Sequence, residues 1–277
     1  MKHLNCFYII FCIILMACNF TRNSSVTDKP VVPLDSIFLL SINDIDEFGE
    51  KHEFLFFLDS INNRLSVVGK YHQIISHYNI YTIHPGESIE YDNELDGHVK
   101  LLIREGLIIG SITEQGRGIQ YEYDSLRHLS GIRLNKTKKL VLWKGDSVKH
   151  VVMIDSIINS HRYTKNIYYS DKERSSSYSP ELLKEIINLS WDEYLFTHLG
   201  LYGKLPIGNN YIVEDLSYGY EGIIYRISNE YNENYSDNGY QIKSKKQSGG
   251  SERMRIREYE WNQPNVLALF RILKYKP

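Results

Sequence analysis

Val99-Lys100-Leu101-Leu102-Ile103-Arg104 sets Val99, Leu101 and Ile103 on one face of an extended chain and Lys100 and Arg104 on the other. A period of two with one apolar and one charged face is the pattern of a half-buried strand. Asp96-Gly97 stands just before it as a turn, and Gly145-Asp146, Asn238-Gly239 and Gly249-Gly250 recur at hairpin spacing. Outward from this stretch, the same short alternating runs fill the chain from Leu34 onward. The pattern predicts a mainly β fold: a large curved antiparallel sheet or barrel-like fold of consecutive hairpins, formed by residues 34–277 as a single domain.

A local grammar repeats within it. Phe54-x-Phe56-x-Leu58-Asp59-Ser60 returns through Asn63 to Val67, and Tyr121-x-Tyr123-Asp124-Ser125 returns through Arg127 to Ile132. A third copy runs from Tyr231 to Tyr235 and turns at Ser236-Asp237-Asn238-Gly239 into Tyr240-Gln241-Ile242. Alternating aromatics occupy one face, and an Asp or Asn sits where the chain must reverse, because its short side chain can bond the turn backbone. The spacing is too irregular for a strict solenoid or propeller.

One segment breaks the pattern. Ser179-Pro180-Glu181 offers an N-cap, a proline at the first helical position and an acid in the first turn. Leu182, Leu183, Ile186, Ile187 and Leu189 follow on one helical face, so a helix is expected from about 180 to 189. Ser190-x-x-Glu193 has the form of a capping box restarting a second short helix that ends at Gly200. The expected task of this pair is packing, as a plug or cover for an opening of the curved sheet.

The chain of 277 residues carries a net charge of -2, which gives no basic excess to hold nucleic acid. Its 22 tyrosines fit strand composition first and contact surfaces second. The N-terminus reads as an export signal: Lys2, an apolar run from Cys6 to Ala17, then polar residues from Asn19. A bilayer span would need ~20 apolar residues, more than this run supplies. Leu15-Met16-Ala17-Cys18 resembles a bacterial lipobox, which implies cleavage before Cys18 and acylation of its sulfur. Residues 1–17 are then signal peptide and 18–33, with Pro30 and Pro33, a tether. Several acyl chains would make a durable membrane anchor. Cys6 and Cys12 leave with the signal, so Cys18 is the one cysteine of the mature chain, which excludes an internal disulfide and a free thiol nucleophile.

No catalytic residue, metal ligand set or cofactor motif emerges from the sequence. The ten histidines form no His-Glu-x-x-His pair, and His72, His77 and His84 lack a spacing that joins them on one strand face. Asp92-x-Glu94-x-Asp96-Gly97 imitates the opening of a calcium loop, but Ile103 occupies its twelfth position and supplies no carboxylate, so an acidic hairpin is expected.

The hairpin around Tyr121 to Ile132, the Leu142-Trp143-Lys144-Gly145-Asp146 turn, the helix leading into Gly200-Leu201-Tyr202-Gly203-Lys204-Leu205-Pro206, and the closing Tyr259-x-Trp261-Asn262 carry a resemblance. Together they resemble a group of uncharacterised Bacteroidetes-type lipoproteins with a large antiparallel, porin-like or barrel-like β-fold. The resemblance implies an envelope protein anchored through Cys18, in the outer membrane, and assigns no catalytic residue. His128 departs from the small turn residue expected there. Acids after the cysteine would favour the outer face in such lipoproteins; Asn19-Phe20-Thr21-Arg22-Asn23 leaves the periplasmic and outer faces both open.

The leading expectation is a non-enzymatic, lipid-anchored envelope protein that binds a glycan or another envelope protein, with Tyr168, Tyr169, Tyr218 and Tyr220 as contact aromatics. The alternative is an envelope glycoside hydrolase whose carboxylates converge in space. A membrane-spanning barrel is a third reading, opposed by the outward charges of Lys100, Arg104, Lys243 and Lys245.

Overall fold

The computed structural model describes residues 36–274, apart from 47, 94–95, 135–136, 156–159, 170–177, 190–192, 209, 220–221, 237–238 and 249–250. The chain divides between Pro33 and Leu34, and Cys18 with the segment before Pro33 lies outside the described residues.

The domain is a closed antiparallel barrel of sixteen strands in sequence order. The first eight are β1 (Ile37–Ile45), β2 (Lys51–Asp59), β3 (Arg64–Tyr71), β4 (Ile74–His84), β5 (Ser88–Asn93), β6 (Gly97–Arg104), β7 (Leu107–Thr113) and β8 (Gly118–Tyr123). The second eight are β9 (Leu129–Leu134), β10 (Thr137–Lys144), β11 (Ser147–Asp155), β12 (Ser160–Tyr169), β13 (Asn210–Gly219), β14 (Gly222–Ser236), β15 (Gly239–Ser248) and β16 (Ser251–Trp261). Closure pairs β1 with β16, from Leu40 opposite Trp261 to Ile45 opposite Ile256. Every edge is thereby satisfied, which removes the exposed edge strands that would invite aggregation.

The expected alternation holds. Val99, Leu101 and Ile103 are buried while Arg104 is exposed, and Lys100 turns outward to Glu90 at 2.6 Å. The three repeated hairpins are β2–β3, β8–β9 and β14–β15. Their turn acids act as expected: Asp59 accepts from the Ile61 and Asn62 amides, and Asp124 from those of Leu126 and His128. Asp92 and Ile103 fall on β5 and β6, where Asp92 meets His98 and Ile103 is buried, so the calcium-like sequence is a hairpin.

A barrel of this strand number is wide enough to leave a channel unless something fills it. Here residues 178–189 and 193–207, between β12 and β13, supply the filling. Helix α1 (Pro180–Ile187) begins as the sequence predicts, with the Ser179 hydroxyl accepting from the Leu182 amide at 3.0 Å and Pro180 in the first turn. It ends two residues early, because Asn188 takes a left-handed conformation and its amide returns to the Lys184 carbonyl. Leu182, Leu183 and Ile186 are buried, and so are Glu181 and Lys184 on its other faces. A helix buried on all sides lies inside a core, not over one.

Helix α2 (Tyr194–His198) starts later than a capping box from Ser190 would place it. Glu193 takes the N-cap position but caps nothing with its side chain; it accepts instead from the Tyr91 hydroxyl on the wall at 2.9 Å. The plug then crosses to the opposite wall. Phe196 meets Tyr81 edge to face, the Leu201 carbonyl accepts from the Ile108 amide at 2.7 Å, and Tyr202 packs on Tyr121. Entry and exit strands meet at an antiparallel bridge between Tyr178 and Ile207.

A third helix, α3 (Gln263–Lys274), was not anticipated. Its signal was present: Asn262 caps the Asn265 amide, and Val266, Leu269, Phe270 and Leu273 recur at helical spacing. It packs on β1 and β4, burying Leu269 and Leu273 completely.

Gly203 lets the plug leave the barrel. Its φ is +99°, and a Cβ there would stand 2.6 Å from the Arg127 carbonyl oxygen and 3.0 Å from the Tyr123 ring. Gly145 has φ +61° with open space around it. Gly203→Ala should lower the unfolding free energy read from urea titration by ~2 kcal/mol or more, against ~1 kcal/mol for Gly145→Ala, because only the first adds a backbone clash to the conformational cost.

Candidate functional site

The interior is where this chain concentrates its chemistry. Glu181 projects from the first turn of α1 onto β16, where the Arg257 guanidinium bonds one carboxylate oxygen and the Tyr259 hydroxyl donates to the other at 3.1 Å. Lys184, one turn on, stands 3.6 Å away. Arg257 also donates its Nε to Asp44 of β1 at 3.2 Å, and Arg255 closes a two-pronged bond on the same carboxylate. The result is an alternating chain, Arg255–Asp44–Arg257–Glu181–Lys184, that ties the barrel's closing seam to its plug.

Burial alone would raise the Glu181 carboxyl, but Arg257 and Lys184 hold it at about 2. Burial in turn pushes the Lys184 ammonium down, while Glu181 works in the opposite direction. His198, on α2, is pushed down to about 3 by burial, its ring enclosed by Tyr194, Tyr259 and Trp261.

Two further clusters extend the arrangement. Glu233 of β14 accepts from the Ser179 hydroxyl at 2.6 Å and the Tyr211 hydroxyl at 2.7 Å, which joins the cap of α1 to the wall. Lys165 of β12 donates to the Glu185 carbonyl at 3.1 Å and faces Asp215 at 3.5 Å, and Tyr163 bonds Asp215.

At the plug's exit, His128 is buried between two carboxylates, with Nδ1 2.9 Å from Asp124 and Nε2 3.3 Å from Asp146. Its ring stacks on Trp143 at 4.3 Å, and Asp146 also takes the Lys204 ammonium at 2.7 Å. His128 thereby clamps the β8–β9 and β10–β11 turns to the outgoing plug.

Chemically, these groups neutralise one another. Glycoside cleavage needs one carboxyl raised enough to deliver a proton near neutral pH. The carboxyls of Asp124, Asp146, Glu181 and Glu214 are all held below their ordinary range, Asp146 chiefly by Lys204, the others because hydrogen bonds and cations outweigh burial. A group at about 2 cannot serve as a general acid.

The four tyrosines named from the sequence do not form one patch. Tyr168 and Tyr169 are neighbours in β12 and point to opposite faces: Tyr168 is outward, with its hydroxyl on Glu214 at 3.2 Å, while Tyr169 is partly buried against the core and near Tyr211. Tyr218 lies in β13 opposite Ile223. Tyr220 lies outside the described residues. The buried tyrosines instead include Tyr81, Tyr121, Tyr194, Tyr202, Tyr211, Tyr231 and Tyr259, where plug meets wall. Alternation could have marked the wall members of that set; pairing them with Glu181 required the closed topology.

No family model matches the chain, and no curated protein matches it. Two solved structures are similar over 82% of its length. One is the crystal structure of CghA, with 6% identity, a TM-score of 0.21 and 88% of that chain covered. The other is a mutant of the vaccine antigen transferrin-binding protein B from Haemophilus parasuis, with 8% identity, a TM-score of 0.16 and 76% of that chain covered. At such scores neither likeness bears on fold or function.

Proposed function

We propose that this chain is a lipid-anchored cell-envelope protein whose barrel serves a non-enzymatic, binding or structural role toward a glycan or another envelope protein. The supporting observation is the filled lumen. The plug occupies the space where a channel or catalytic cleft would lie, and Glu181, Asp44 and Glu233 are spent on holding it. What remains for partners is a rigid outer wall and two rims.

Ion pairs on that wall support a tethered rather than a spanning barrel. Glu53–Lys70, Glu122–Lys138 and Glu214–Arg226 are cross-strand ion pairs at outward positions, where a spanning barrel would carry an apolar band ~25 Å tall. An acyl tether on Cys18 would then supply the membrane attachment, in the outer membrane and on either its periplasmic or its outer face.

Expressed in a bacterial host, the full chain should sediment with membranes, and Cys18→Ala should move most of it to the soluble fraction. Equal sedimentation of the two would sink the anchor. Labelling with a radioactive or alkynyl fatty acid, present in the parent and lost in the variant, provides a second readout.

A further inference from the structure

At the rim opposite the plug's neck, residues of β16, β1, β2 and β3 and of the β3–β4 turn border a pocket of about 440 Å³. That volume is within the range of small-molecule sites. Its walls are fixed before any ligand arrives. Asp46 accepts from the Phe48 and Glu50 amides, shaping the β1–β2 turn, and Glu50 takes both the Tyr71 hydroxyl and the His72 ring. The neighbouring β3–β4 turn is built from His72 at φ 48° and Gln73 at φ 68°. Two left-handed residues in succession are the province of Asn-Gly; His enters that region more readily than most residues, whereas Gln73 is ill suited to it. Backbone strain of this kind persists where side chains are needed for contact, and both side chains line the pocket.

The lining carries three carboxylates, Asp44, Glu53 and Glu258, against the ammoniums of Lys51 and Lys70. Lys70 is paired with Glu53 at 2.8 Å, and Glu258 accepts from the Gln241 amide at 2.7 Å. Asn43 and Gln73 each present a donor and an acceptor on one planar group. His52 stacks on Tyr71 at 4.9 Å, giving the site an aromatic flank. Asp44 is taken by Arg255 and Arg257 and Glu53 by Lys70, so the residual charge is weakly acidic and disfavours an anion. Amides and carboxylates in one small pocket satisfy groups that both donate and accept, which adjacent hydroxyls do, and an aromatic flank accepts their C–H face.

We infer that this pocket binds a neutral saccharide, with Asn43 and Gln73 as its hydroxyl-reading residues. The inference gives a ligand class to the binding role proposed above, and its test is independent of the anchor, since membrane release of Cys18→Ala leaves the pocket intact.

The test is saturation-transfer NMR on the full chain in mild detergent with maltose, cellobiose and lactose, and with 3′-sialyllactose as an anionic arm. Transfer to at least one neutral disaccharide is expected, reduced fivefold or more in Asn43→Ala/Gln73→Ala and unchanged in Leu126→Ala at the other rim. Gln73→Gly separates binding from folding: it relieves the left-handed turn, so it should raise the unfolding midpoint while lowering transfer fivefold or more. Transfer to none of the three neutral sugars, transfer to sialyllactose alone, or undiminished transfer in Gln73→Gly would overturn the inference.

Discussion

Arg257→Leu should lower unfolding stability by about 3 kcal/mol, because it takes the nearest cation from the fully buried Glu181 and leaves Asp44 with Arg255 alone. Arg257, Asp44 and Glu181 are all buried, and the one guanidinium bonds both acids. The loss is the cost of leaving Glu181 unneutralised, more than that of a missing attraction, and this distinction can be measured. Glu181→Gln in the Arg257→Leu background removes the stranded charge, so the double variant should recover part of the loss despite carrying two changes. Arg257→Lys should fall between parent and Leu, since a single ammonium cannot reach both carboxylates with a planar fork. Urea unfolding followed by circular dichroism reads all three. A cost below ~1 kcal/mol for Arg257→Leu, or a double variant worse than the single by the full cost of a second deletion, would show that the seam and plug are not joined through this residue.

The same network shows why the barrel was legible in the sequence and its lumen was not. Alternation in Val99 to Arg104 and turn acids such as Asp59 and Asp124 are local signals; each reports on residues within a few positions, and consecutive hairpins add such signals into a sheet. Closure pairs Leu40 with Trp261 across almost the whole domain, and nothing near either residue encodes it. Ser179-Pro180-Glu181 announced a helix through its cap, yet the same Glu181 carries a second message, the bond to Arg257, that reads locally as an ordinary first-turn acid. Lys184 likewise reads as a solvated helix residue and is buried. Tyr168 and Tyr169 looked like one contact pair because they are adjacent, and for that reason a strand sends them to opposite sides. The missed α3 had its periodicity in Val266 to Leu273; closeness to a strand-rich run hid it.

Acid should loosen the plug in two stages, and the sign follows from which state holds more protons. His198 takes a proton in the folded barrel only near pH 3, against about 6.5 for an exposed histidine. Between those values the unfolded chain binds one proton more, so stability falls as pH falls, by about 1.4 kcal/mol per unit. Glu181 adds to this below its ordinary value of 4.5: the folded carboxyl stays ionised to about 2, and the stability that its partners confer above pH 4.5 is lost as pH drops through that window. From pH 6.5 to 4.5, therefore, His198 titrates before Glu181 does and should by itself remove about 2 kcal/mol; below 4.5 the slope should steepen. His198→Phe keeps an aromatic ring among Tyr194, Tyr259 and Trp261 and has nothing to titrate. Every other titrating group is common to parent and variant, so the difference between their urea midpoints isolates His198. That difference should shrink steadily from pH 6.5 to 4.5 in favour of the variant. A constant difference across that range would mean that the imidazole reaches water in the folded state, and that the plug is not packed around it.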